Sequence, residues 1–374
     1  MFKKFDTRTY EKFRGQYNIF VLVGNGFDIS VLKRFKSGKL SGKTTSYVDF
    51  YDYISTLRLC EEDDILYQKV KEDKSLDKEN WSDFENTIKE LLDSSGHKIV
   101  DVLEESVDKF QGFFTKFLNE LVDAETLLNL DKEVSENKLS IQSLARFLKD
   151  LEDLEELKRL KFVEDLDHFH LFNFVFANFN YTSLLDNYLF LDKVQFNPRA
   201  FNRGDRSFYF KFTLPEQNKR FYSSYLLSEV IHPHGIQDIP RSILFGIDLE
   251  EYDKASDVRK RLVKGYWSQY EVKYKSYLEE ADLFIIYGMS LGATDAWWMD
   301  TIFDQILSRQ AELILYWYGK DDKEAVVEKF INCCARHKSS SDDDKREVRK
   351  RIHVVSHTKN DTYFLGFEKK CSDL

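Results

Sequence analysis

Four stretches of the chain place glycine, asparagine, histidine, serine or aspartate where an apolar run stops. The first is Gly24-Asn25-Gly26-Phe27-Asp28. Gly24 and Gly26 lack Cβ atoms, so their backbone can come close to a phosphate, and N–H groups at a following helix start favour an anion. A tight turn that merely ends a strand uses the same residues, and the spacing alone leaves both readings open. Asp28 would be repelled by a pyrophosphate, but it suits a ribose hydroxyl or the cap of the next helix.

The second stretch, "FANFNYTSLLDNYL" from Phe176, sets Asn178, Asn180 and Thr182 at alternate positions. Asparagine donates and accepts at once, which suits holding a water or a sugar hydroxyl. A turn at Asn180 and a helix cap at Thr182 are the structural alternatives. The third stretch is His232-Pro233-His234-Gly235. A histidine at a strand end is placed for general base work near neutral pH, against the alternative of an ordinary structural histidine. The fourth, "YGMSLGATD", offers Gly288 and Gly292 for close ligand approach and Ser290 as a donor to phosphate or ribose oxygen. Asp295 either accepts from ribose hydroxyls or begins the helix that carries Trp297 and Trp298. Gly246 and Asp248, in "ILFGID", read as a loop closing the pocket. A metal site built from Asp28, His232, His234 and Asp295 would require distant strand ends to converge.

These stretches need strands to hold them. Near-continuous apolar runs at Asn18 to Val23, Leu171 to Ala177, Leu226 to Ile231, Ala281 to Tyr287 and Glu312 to Tyr318 predict strands buried on both faces, separated by helical segments. The fold class expected is α/β: a mostly parallel sheet with flanking helices, whose strand ends converge on a ligand site. Between the first and second strands, residues 50–165 predict a large inserted helical lobe, leaving residues 1–49 and 166–374 as the α/β core. Apolar residues recur at helical spacing from Leu103 through Val107, Phe110, Phe114, Phe117 and Leu121, and again at Leu144, Phe147, Leu151 and Leu154. In "WSDFENTIKELLD", Ser82 and Glu85 predict a capping box, and Trp81, Phe84, Ile88 and Leu91 the apolar face of the helix. Asp73 to Asn80 and Asp131 to Asn137 read as loops of the lobe. Residues 198–224 read as a meander or a cover over the sheet, and residues 338–351 as a solvated loop leading into a helix.

A formal charge of −10 argues against a phosphate-backbone grip, so nucleic acid is not the expected partner. The four cysteines form no CxxC pair, which disfavours a structural zinc, and no apolar run of membrane-spanning length occurs. A cytoplasmic location is expected, with 32 Phe and 20 Tyr building an aromatic core.

Taken in order, "VGNGFDIS", Trp81-x-x-Phe84-Glu85, "FNYTSLLD", "HPHG", "LFGID" and "YGMSLGATD" resemble the bacteriophage abortive-infection AbiH family. The same order is similar, more distantly, to the sirtuin-like NAD-binding fold, which implies a Rossmann-like nucleotide-binding core. By that resemblance Gly24, Asn25, Gly26 and Phe27 would line the pyrophosphate. Asn180 would hold the reacting water or ribose, His234 would be the base, Gly288 and Ser290 would meet the adenosine half, and Asp295 would be a further cofactor-binding residue. Asp28 and Thr182 depart from the sirtuin-like pattern, which has serine and aspartate at those places. Both fall where the nicotinamide ribose would lie. The resemblance implies an anti-phage protein with NAD as its substrate and no metal, cleaving NAD to nicotinamide and ADP-ribose. The alternatives are a nucleotide or ADP-ribose sensor that acts through a partner, and a metal-dependent hydrolase. Expected partners are a small nucleotide, a phage-derived trigger or partner protein, and further copies of the chain in a homo-oligomer.

Overall fold

The strand β1, Gly15–Val23, is apolar without alternation at its end because both of its faces are covered. Ile19, Val21 and Val23 enter one core while Phe20 and Leu22 enter another. The computed structural model describes residues 1–95, 99–151, 154–196, 208–211, 222–247, 260–292, 296–358 and 361–367. Its main sheet adds β2 (His170–Asn178), β3 (Tyr225–Ile231), β4 (Leu283–Tyr287), β5 (Glu312–Tyr318) and β6 (Ile352–His357). Every neighbouring pair is parallel and the order is β3-β2-β1-β4-β5-β6. The order reverses between β1 and β4, the crevice in which doubly wound sheets hold ligands. This is a Rossmann-like α/β fold, as the apolar runs predict.

One face is covered by α1 (Gly26–Phe35) and by the helices that follow it: α2 (Tyr47–Leu57), α3 (Ile65–Ser75), α4 (Phe84–Ser95), α5 (Val100–Leu121), α6 (Ala124–Asn137) and α7 (Leu139–Arg146). The helical stripe on α5 is buried from Leu103 to Leu121, and its phenylalanines share one continuous core with β1 and β2. Another short helix, α8 (Leu184–Leu189), follows β2 on this side. The other face is covered by α9 (Ala296–Arg309), α10 (Lys323–Cys333) and α11 (Asp342–Arg349). Trp298, Ile302, Phe303, Val326 and Phe330 pack there on Phe20, Leu22 and Phe284.

Several local expectations need correction. Asp131 to Asn137 is helical, because Leu130 and Val134 of α6 are buried at helical spacing among polar neighbours. Likewise Asp73 to Ser75 close α3 before the turn. The helical spacing around Leu144 does not continue, since α7 ends at Arg146 and Phe147–Asp150 forms a 3-10 turn. The α4 cap is one residue later than predicted: Asp83 Oδ1 accepts from the Asn86 N–H at 3.0 Å. Glu85 is thereby released from any capping box. The edge strand β6 follows a charged stretch that masks its short apolar run. Of residues 198–224, the described part contains one small antiparallel pairing of Tyr209–Phe210 with Tyr222–Ser223. Asp248, Asp295 and Cys371 lie outside the described residues.

Candidate functional site

The carboxyl ends of β1, β2 and β4, with the turn after β3, open on a cavity of about 420 Å³. Gly24, Asn25, Gly26, Asp28, Asn180, His234, Gly288 and Ser290 all line it. Residues far apart in sequence meet here because parallel strands present their ends at one edge of the sheet.

The glycines serve a close approach of two turns. Gly24 N–H donates to Tyr287 O and Gly26 N–H donates to Gly288 O, each at 2.9 Å. A Cβ on Gly26 would stand 2.8 Å from Gly288 Cα, and one on Gly24 would stand 2.8 Å from Gly288 O. Gly288 itself has φ +68°. These two N–H groups are therefore committed to Tyr287 and Gly288, and the turn between β1 and α1 is locked onto the turn after β4. Asn25 is held separately. Its Nδ2 donates to Thr45 O at 3.3 Å, and its Oδ1 accepts from the Thr45 hydroxyl. The Phe27 side chain turns away from the cavity into the core, against Tyr188, Tyr287 and Phe367.

Asp28 is completely buried, and its carboxylate does not cap α1. Thr182 donates to Oδ2 at 2.6 Å and Asn180 Nδ2 donates to Oδ1 at 3.0 Å. Burial pushes the Asp28 carboxyl up to about 7, and the nearby Asp186 adds to the rise. The hydrogen bonds from Thr182 and Asn180 and the nearby His232 only partly oppose it. Thr182 Oγ1 also accepts from the Leu184 N–H at 3.3 Å, so one hydroxyl ties the start of α8 to Asp28. The two departures from the sirtuin-like pattern are thus one hydrogen-bonded pair.

Asn180 is fixed on three sides. Its N–H donates to Asn178 Oδ1 at 3.1 Å, and Nδ2 reaches both Asp28 and Gly24 O, the latter at 3.2 Å. Two acceptors around Nδ2 set the orientation of the amide. Its Oδ1 carries no hydrogen bond among the described residues and remains an acceptor for a ligand. His234 is buried against Phe179, ring centroids 5.0 Å apart. Its carbonyl accepts from Leu244 N–H at 2.9 Å, which anchors the turn. His232 does not join it: Nε2 lies 3.0 Å from Asp186 Oδ1, and His232 does not line the cavity. Among the described residues no group of three or more His, Cys, Asp or Glu is placed to hold a metal ion.

Beyond the Gly288–Ser290 turn lies a second cavity of about 640 Å³. Gly26, Gly288 and Ser290 border both cavities, and Lys33, Arg34 and Trp317 border the second. Ser290 therefore stands where one ligand could extend through both.

Glu85 and Lys264 are cavity residues that the strand-end motifs do not reveal. Glu85 had a legible signal: with Ile88 and Leu92 it occupies positions i, i+3 and i+7, a charge on the buried face of α4. Lys264 has none, because its place depends on a long-range backbone exchange. Ile247 N–H donates to Leu262 O and Lys264 N–H donates to Ile247 O. The "LFGID" segment thus supports the cavity wall through Lys264.

The sequence pattern of the family described as Bacteriophage abortive infection AbiH matches residues 20–317. That span takes in every cavity residue named above. No curated protein matches the chain. Among the described residues no helix is long and apolar enough to cross a membrane.

Proposed function

The chain belongs to the bacteriophage abortive infection AbiH family, and from that premise we propose that it acts by hydrolysing NAD to nicotinamide and ADP-ribose in the strand-end cavity. Family membership supports the role in abortive infection of phage-infected cells. The observation behind the chemistry is the convergence of Asn180, His234 and Asp28 in one cavity.

In NAD the nicotinamide nitrogen is already cationic. The glycosidic bond therefore breaks with its electron pair going to that nitrogen, and no strong general acid is needed. Positive charge moves onto the ribose ring as the bond opens. An ionised Asp28 favours that charge and also keeps Asn180 turned so that Oδ1 faces a water. The water oxygen bonds to the ribose carbon and its proton passes to His234. The adenosine half extends past Ser290 toward the second cavity.

The second reading is a non-catalytic sensor. The Gly24 and Gly26 N–H groups are engaged by Tyr287 and Gly288, which leaves fewer donors for a pyrophosphate than the motif implies in either reading. Purified protein incubated with NAD separates the two readings. Hydrolysis predicts nicotinamide release that falls at least 100-fold in Asn180→Ala and His234→Ala and is unaffected by chelator, about the scale of one positioned acid–base group. Binding of NAD without release would favour the sensor, and loss of release with chelator would favour a metal-dependent hydrolase.

A further inference from the structure

The helical segment between β1 and β2 contributes an ion pair to the cavity wall. Lys264 Nζ lies 2.9 Å from Glu85 Oε2, and the two side chains are 2% and 7% exposed. The Tyr47 hydroxyl donates to Glu85 Oε1 at 3.5 Å, and it too lines the cavity. Removing two charges from water carries a penalty that their attraction does not reliably recover, and apolar side chains of similar size would hold a wall together as well or better. Stability alone gives no reason for this pair. Its position does, since it faces the same space as Asn180 and His234.

We infer that Glu85 is a substrate-recognition residue that accepts from the 2′-hydroxyl of the nicotinamide ribose, with Lys264 as its buried partner. This rests on the NAD reading above and names the part of NAD that the helical segment recognises. A carboxylate accepts several hydrogen bonds at once, so a sugar hydroxyl can add to the contacts from Lys264 and Tyr47. A carboxylate reading a ribose hydroxyl is an established use of acids in dinucleotide sites, and here the acid comes from α4 and not from the sheet. The buried Lys264 keeps the wall from presenting Glu85 and Asp28 as two uncompensated acids. Specificity for a ribosyl substrate would thereby be supplied by the inserted helices and catalysis by the strand ends.

The test pairs a substitution in the protein with a deletion in the substrate. The full chain, Glu85→Gln and Lys264→Met are each assayed with NAD and with the NAD analogue lacking the 2′-hydroxyl of the nicotinamide ribose. Each protein's preference is the ratio of kcat/KM for the two substrates, so the analogue's intrinsic reactivity cancels between proteins. Wild type is expected to prefer NAD, with that preference reduced about 10- to 100-fold in Glu85→Gln, the scale of a hydrogen bond to a charged group. Lys264→Met, which leaves Glu85 without its buried counter-charge, is expected to lose the same preference. A Glu85→Gln protein that keeps the wild-type preference would overturn the inference, even if its overall rate or melting temperature fell, because a purely structural pair cannot distinguish the two substrates. If wild type binds NAD without turnover, the same preference is read from the two Kd values. Wild type that binds neither molecule overturns both this inference and the NAD reading. Wild type that cleaves NAD with a preference unaffected by Glu85 overturns the inference alone.

Discussion

An aspartate without solvent contact, surrounded by neutral donors, keeps its proton into the neutral range, and Asp28 is in that position. Between its ordinary value of 3.8 and about 7, the difference corresponds to about 4 kcal/mol of ionisation cost. The sign follows from proton binding. The folded state holds this proton more tightly than the unfolded chain, so the resulting stability is complete below pH 3.8 and is lost as pH rises through about 7. Asp28→Asn retains an acceptor for Asn180 and a donor toward Thr182 without the charge. It is expected to raise the melting temperature at pH 8, with a gain that shrinks toward pH 4, while NAD hydrolysis is lost. A melting temperature lowered equally at both values would contradict the buried-charge account. If ionised Asp28 acts in hydrolysis, the rate climbs as pH passes through about 7. Thr182→Val removes a hydrogen bond that favours the ionised form, so this inflection should shift to higher pH. At this scale the sequence pointed to Asp28, Asn180 and His234 through residue type and strand-end position. It did not reveal that Asp28 bonds Thr182 and not its own helix, because that contact joins residues 154 positions apart.

The turns after β1 and β4 form a single unit, since Gly24, Gly26 and Gly288 let their backbones touch at the point where the sheet order reverses. Gly26→Ala places a methyl against immovable backbone and is expected to cost about 1–3 kcal/mol. Gly112→Ala is the matched control. It lies within α5 with nothing within 4 Å of the added carbon, and it should stabilise by about 0.5–1 kcal/mol. Thermal or urea unfolding of the two variants measures both, and similar effects would show that the turn–turn contact is not tight. Five of the six strands were legible, because burial on both faces writes unbroken apolar runs into the sequence. β6 was not, since it is short, follows a charged helix, and two of its five buried residues, His353 and His357, are polar and interrupt the apolar run. The cap of α4 was misplaced because Ser82 and Asp83 are adjacent candidates with similar chemistry. Only geometry chooses Asp83, and that choice turns Glu85 toward the cavity.

Across the whole molecule, the inserted helices and the sheet share one apolar core. Phe50, Phe84, Phe110 and Phe114 pack on one another and belong to the same cluster as Ile19, Val21 and Phe174. Phe114 and Leu118 line the cavity as well, so the helices that complete the core also complete the site. Unfolding followed by tryptophan fluorescence and by helical circular dichroism should coincide in one transition. Separate melting of the helical segment would show that the shared core does not couple them. Helices between β1 and β2 were legible from periodicity and charge, but their contribution to the cavity was not, because no local pattern reports which helix faces meet a sheet edge. The central claim concerns what this assembled cavity does to NAD, and the concentration of NAD in phage-infected cells tests it most directly. Cells carrying the wild-type protein are predicted to lose NAD after infection, while cells carrying Asn180→Ala at equal abundance keep it and fail to abort the infection. Abortive infection by the wild type with NAD unchanged would contradict the account.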